Sequence, residues 1–178
     1  KKGTYPVARI KENDNLDVLF EDHVEIQITP YERKDAARQG KGFFKMMVNP
    51  KGFMIDQHLF NGTIGTEELW STGGETKCTV SDEAWSLEMS IEMARLRIDK
   101  PDGKSVAMQL VRTDSCAGVY FAGWVPECWM SWTRFPEVTF DPQAPVFEFR
   151  KVGEVMAGDL DTVVSVAENR KEQQEVTV

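Results

Sequence analysis

The run His23-Val24-Glu25-Ile26-Gln27-Ile28-Thr29 alternates polar and apolar residues without a break. Side chains with period two leave one regular conformation open, the β-strand, because successive Cβ atoms point to opposite faces. Val24, Ile26 and Ile28 face one way and Glu25 and Gln27 the other, which predicts a half-buried strand. The same reading continues along the chain. Residues 43–49 and 53–58 flank Pro50-Lys51-Gly52, a hairpin by turn chemistry, and residues 77–80 and 84–91 flank Ser81-Asp82-Glu83. Pro101-Asp102-Gly103-Lys104 is a turn that leads into a strand over 105–112. Residues 31–42, with Arg33, Lys34, Asp35 and Arg38, read as a loop or short surface helix, and 92–97 as a helical turn. Gly62, Gly65, Gly73 and Gly74 mark a loop region that carries Trp70. Strands at this spacing, with no long helices between them, predict an all-β fold, a sandwich or barrel.

Composition narrows the partners. A hydrophobic fraction of 41%, with five Trp, ten Phe and three Tyr, is enough for a packed interior in a chain of 178 residues. A net charge of −8 opposes the basic stripe that a phosphate backbone requires, so nucleic acid is a poor partner. No apolar run approaches the roughly 20 residues that span a bilayer, so membrane insertion is not expected. At Asp141-Pro142-Gln143-Ala144-Pro145 the composition shifts, and the aromatics end at Phe149. The expected division is a β-domain over 1–145, then a segment over 146–178. In that segment the strand-like runs 162–167 and 175–178 are either edge strands or the opening of a second β-module.

Catalytic constellations are absent from the pattern. There is no Gly-x-Ser-x-Gly elbow, and only His23 and His58 offer an imidazole base. With 29 acidic residues, a pair facing across a cleft cannot be assigned, and no enzymatic role is expected. No Cys-x-x-Cys pair suggests zinc or redox chemistry, and Cys116 and Cys128 either close a hairpin by a disulfide or stay half-buried thiols, as does Cys78. Asp14, Asp17 and Asp22 could hold a structural calcium ion, and no other cofactor is expected. Tryptophan is the stronger signal. Trp124, Trp129 and Trp132 lie within one stretch broken by Pro126, where three indoles are hard to bury at once. An exposed indole suits the apolar face of a pyranose ring.

Several blocks converge on a family. Residues 19–28, Leu-Phe-Glu-Asp-His-Val-Glu-Ile-Gln-Ile, resemble the W-x-x-D-x-V-E-I-F-I block of the family 9 carbohydrate-binding modules. Residues 44–52, Phe-Lys-Met-Met-Val-Asn-Pro-Lys-Gly, are similar to that family's f-x-f-x-V-N-P-x-G hairpin. Residues 85–91 resemble its w-x-x-E-x-x-I-P strand, and 107–112, which end in Arg112, its n-x-x-R strand. Trp124 and residues 135–140 resemble its closing elements. The agreement in order and spacing runs from about Tyr5 to Phe140.

The resemblance implies an antiparallel, jelly-roll-like β-sandwich with a further strand N-terminal to Tyr5. It also implies a non-catalytic module, attached to other domains of a secreted, periplasmic or cell-surface protein, that grips polysaccharide between two tryptophans. One of those aligns with Trp129, and a sugar-contacting glutamate with Glu25. The other tryptophan aligns with Leu19 and a sugar-binding arginine with Met47, so half of that sandwich is replaced. Phe20, Trp70 or Trp132 could supply the second platform, and Asn49 and Arg112 complete the candidate set. Two other readings stand beside this one. The first is a structural or interaction domain without a ligand. The second is a haem carrier like the DOMON-type domains, which have a similar fold and use Met and His as axial ligands.

Overall fold

The computed structural model describes residues 6–31, 42–60, 65–66, 70–82, 84–115, 120–125, 132–144, 146–151 and 163–167. Its strands are β1 (His23–Thr29), β2 (Phe43–Val48), β3 (Met54–Phe60), β4 (Gly65–Thr66), β5 (Glu75–Val80), β6 (Trp85–Ser90), β7 (Ser105–Asp114), β8 (Tyr120–Gly123), β9 (Glu137–Thr139), β10 (Val146–Lys151) and β11 (Val163–Ala167). All the pairings are antiparallel, and among the described residues no helix reaches seven residues, so the protein is all-β as the alternation predicts. Two short 3-10 segments, Leu16–Phe20 and Trp132–Arg134, interrupt the strands. The chain divides into a unit over Lys1–Thr139 and a unit over Phe140–Val178. In the second unit β10 pairs with β11, with Phe147 opposite Val166 and Phe149 opposite Val164.

The first unit is built on a sheet in the order β4-β3-β2-β1-β7-β8, with β9 along the start of β7. β1 is interior to it. Glu25 lies opposite Met47 on one side and Val111 on the other, and Gln27 opposite Lys45 and Gln109. This corrects the half-buried expectation for β1. His23, Glu25 and Gln27 are 0% exposed, whereas Val24 and Ile26 keep partial exposure. The period of one strand shows that two faces differ. It does not show which face the rest of the chain covers, and here the polar one is the more deeply covered.

Local chemistry sets the connections. At the β2–β3 turn the Asn49 Oδ1 accepts from the backbone N–H of Lys51 (3.0 Å) and Phe53 (3.1 Å), and Gly52 takes φ +84°, a region open mainly to glycine. The β5–β6 hairpin is tied to this turn, because the Thr76 hydroxyl donates to the Gly52 carbonyl and the Cys78 thiol to the Asn49 carbonyl. The segment before β5 is fastened to β3 by Asp56, whose Oδ2 accepts from Thr72 N (2.7 Å) and Thr72 Oγ1 (2.8 Å). Lys104 N bonds Pro101 O, with Gly103 at φ +70°, closing the turn before β7. Consecutive turns over 92–97 match the predicted helical turn, while Gly65–Thr66, in the glycine-marked loop, pairs with β3 as a short strand.

The two faces of the sheet are filled differently. On the face of Ile28, Phe44 is fully buried, stacked at 4.5 Å on His58 and 4.7 Å from the Trp70 ring, with the Arg97 guanidinium 5.6 Å above it. On the face of Glu25, two clusters of apolar residues stand out among the described residues. One joins Phe43, Leu59, Ala107 and Phe135, with Val125 against it, and the other joins Val18, Met47 and Ile55, with Ile10 and Leu19 against it.

Candidate functional site

Between those two apolar clusters runs a row of polar side chains. β1 presents His23, Glu25 and Gln27, β2 presents Lys45, and β7 presents Gln109 and Thr113, all on one face by register and all buried. Glu25 is the hub. Its Oε1 lies 3.2 Å from His23 Nε2, and its Oε2 accepts from Gln27 Nε2 at 2.7 Å and lies 3.2 Å from Lys45 Nζ. Burial by itself would push the Glu25 carboxyl up. The His23 hydrogen bond, the Lys45 charge and the Gln27 amide together outweigh it and hold the carboxyl below the ordinary range.

His23 is oriented from both sides. Its Nδ1 lies 2.8 Å from the Glu21 carbonyl, which can only accept, so Nδ1 carries a proton. Nε2 faces Glu25 Oε1 and, at 3.1 Å, Thr113 Oγ1. At the other end of the row the Gln109 amide clasps Val125, donating to its carbonyl at 2.7 Å and accepting from its N–H at 3.1 Å. Gly123 leaves the room for this, since a Cβ there would lie 3.1 Å from Gln109 Nε2 and 3.0 Å from Val125 O.

Of the residues predicted from sequence, Glu25 lies in this row, and the others are placed elsewhere or fall outside the description. Trp129 is outside the described residues, as are Cys116 and Cys128. Trp132 opens the 3-10 segment Trp132–Arg134, whose backbone lies against β1 and β7. Trp70 is on the opposite face, its ring against Phe44 and its indole N–H donating to the Arg95 carbonyl at 3.0 Å. Asn49 builds the β2–β3 turn and donates to Glu21 Oε2. Arg112 pairs in register with Val24, so it too faces away from Glu25, with its guanidinium 3.6 Å from Asp114. Phe20 is exposed at the end of the first 3-10 segment. Leu19 and Met47, at the positions where the resemblance implies a tryptophan and an arginine, are packed with Val18 and Ile55.

The remaining polar groups near β1 serve backbone docking. Asp22 accepts from Val7 N and Ser115 N, and Glu21 from Arg9 N and Ile10 N, which fastens residues 7–10 to the start of β1. Among the described residues no three His, Cys, Asp or Glu side chains converge on a metal position. His58 is buried against Phe44, and both ring nitrogens of His23 are engaged. Burial pushes the Cys78 thiol up.

Gln27, Lys45, Gln109 and Thr113 were not singled out by sequence reasoning. A signal existed for one of them. Lys45 sits inside Phe43-Phe44-Lys45-Met46-Met47-Val48, and a lysine within such an apolar run needs a buried carboxylate partner. No protein-family model, curated protein or solved structure matches the chain.

Proposed function

We propose that this chain is a non-catalytic carbohydrate-binding β-domain of a larger secreted, periplasmic or cell-surface protein, with the saccharide held on the Glu25 face. The observation that carries the reading is the row His23, Glu25, Gln27, Lys45, Gln109 and Thr113, which sets fixed donors and acceptors between two apolar clusters. Saccharide sites combine those elements, polar groups for hydroxyls and apolar surface for ring faces. The ends of the tryptophan-rich segment add support. Val125 is clasped by Gln109, and Phe135 packs edge-on against Phe43 at 5.6 Å, so both ends are fixed on the Glu25 face, and Trp129 lies between them in sequence.

One observation favours a second reading. Every residue of the row is nearly or fully buried, with Lys45 the most exposed at 4%. A closed network of this kind also suits an interaction domain in which polar groups specify strand register. Affinity electrophoresis and glycan-array binding separate the two. The wild type is expected to be retained by at least one polysaccharide, and Trp129→Ala to lose most of that retention. Passage of the wild type unretarded through a broad panel would favour the interaction domain and defeat the carbohydrate reading.

A further inference from the structure

The hairpin β5–β6 covers the Phe44 face of the sheet only in part. It enters and leaves on that face. Thr72, before β5, is bonded to Asp56 of β3, and Arg97, after β6, lies over the Phe44 ring and donates to the hydroxyl of Tyr31, just past the end of β1. β6 is therefore the strand on the β1 side. Exposure rises in the same direction. Met46 and Val48 of β2 are fully buried, Val24 and Ile26 of β1 are half-buried, Leu110 of β7 is 39% exposed, and Trp124 is 54% exposed. Ile26 pairs with Leu110 in register, and the Trp124 N–H donates to the Leu110 carbonyl, so these side chains form one apolar shelf beside β6. Among the described residues β6 pairs with β5 alone, in an unbroken register. Its outer edge, Trp85-Ser86-Leu87-Glu88-Met89-Ser90, has none of the usual guards against pairing, neither Pro, Lys nor a bulge.

We propose that an extended segment of a partner polypeptide, alternating apolar and basic residues, adds to β6 as a third strand and lays its apolar side chains on this shelf. The inference does not rest on the carbohydrate reading, which concerns the opposite face. A strand meets both features at once. Its N–H and C=O groups pair with the β6 edge, and every second side chain turns down onto Ile26, Leu110 and Trp124. The remaining side chains point up beside Ser86, Glu88 and Ser90, the exposed residues of β6. There a basic residue makes a cross-strand pair with Glu88 and an acidic one is repelled, in a chain whose net charge is −8. A second copy of this chain does not fit. Joined edge to edge through β6, it would bring its own β1, β7 and β8 into the space that those strands of the first copy fill.

The test is fluorescence polarisation of labelled synthetic peptides of about ten residues, long enough to span β6, titrated with the full chain. One set alternates Val, Ile or Phe with Lys, a second alternates them with Glu, and a third reorders the first set at constant composition. The wild type is expected to bind the apolar–Lys alternation at least about tenfold more tightly than the other two sets, and Leu110→Thr and Trp124→Thr to bind it about tenfold more weakly, the worth of one buried apolar side chain. Both residues are exposed in the free protein, so the melting temperature should stay within a few degrees. Hydrogen exchange of the wild type should show the β6 amides slowed by the peptide. Equal binding of the alternating and reordered peptides would reduce the effect to charge and overturn the proposal, as would protection at another edge without β6, or no binding of the apolar–Lys set. A wild type that sediments as a dimer, with Leu110→Thr a monomer, would assign the shelf to a second copy and overturn it as well.

Discussion

Replacement of Lys45 by methionine is expected to destabilise the protein by about 3–5 kcal/mol at neutral pH, measured by urea unfolding. The side chain is 5% exposed and its ammonium lies 3.2 Å from the fully buried carboxylate of Glu25. The methylenes are kept by the methionine, so packing changes little. What is lost is the cation opposite a carboxylate that has no water to turn to. The effect has a defined pH dependence. The folded carboxyl of Glu25 titrates below its ordinary value of 4.5, so its contribution to stability is fully present above that value and is lost as the pH falls through the folded value. Without Lys45 the carboxylate keeps His23 and Gln27 but loses the ammonium, and protonation relieves part of that loss. The gap between wild type and variant should therefore narrow as the pH falls toward the folded value of the wild type, which lies below 4.5. A gap of less than about 1 kcal/mol at neutral pH, the size of an exposed ion pair, would mean that the pair is hydrated.

Phe44→Ala should cost a similar amount, about 3–5 kcal/mol, by a different mechanism. Phe44 is fully buried, and its ring is the shared partner of His58, at 4.5 Å, and Trp70, at 4.7 Å. Truncation opens a cavity beneath both. Because Phe44 faces away from Glu25, the loss should appear in urea unfolding at every pH, without the narrowing expected for Lys45→Met. Any saccharide binding should survive wherever the variant is folded. A cost below about 1 kcal/mol would show that the site collapses onto the space.

Most of the strand architecture could be read from the chain, because turn chemistry and period-two alternation act locally. β1 coincides with the alternating run, the Asn49–Gly52 turn follows from its Pro and Gly, and the turn before β7 from Pro101-Asp102-Gly103. The site was much less legible. Glu25 was identified through its place in a resemblance, but Gln27 looked like an ordinary outward residue of a half-buried strand. Its burial depends on β2 and β7 pairing on either side of β1 and on what covers that face, none of which is encoded within seven residues. Trp70, Asn49 and Arg112 were attractive by type, yet residue type does not fix a face. Strand register turns Arg112 and the Phe44 partner of Trp70 away from Glu25, and local hydrogen bonds commit Asn49 to its turn.

We propose that the polar row of β1, β2 and β7 receives the saccharide. Nitrogen-edited NMR of the labelled chain, titrated with the oligosaccharide that binds in the screen, tests this at the atoms concerned. The side-chain amide signals of Gln27 and Gln109 and the Lys45 ammonium should shift together and saturate with ligand. Movement confined to the Trp70 indole and the Arg112 guanidinium, with Gln27 and Gln109 unmoved, would place the ligand on the opposite face and contradict it.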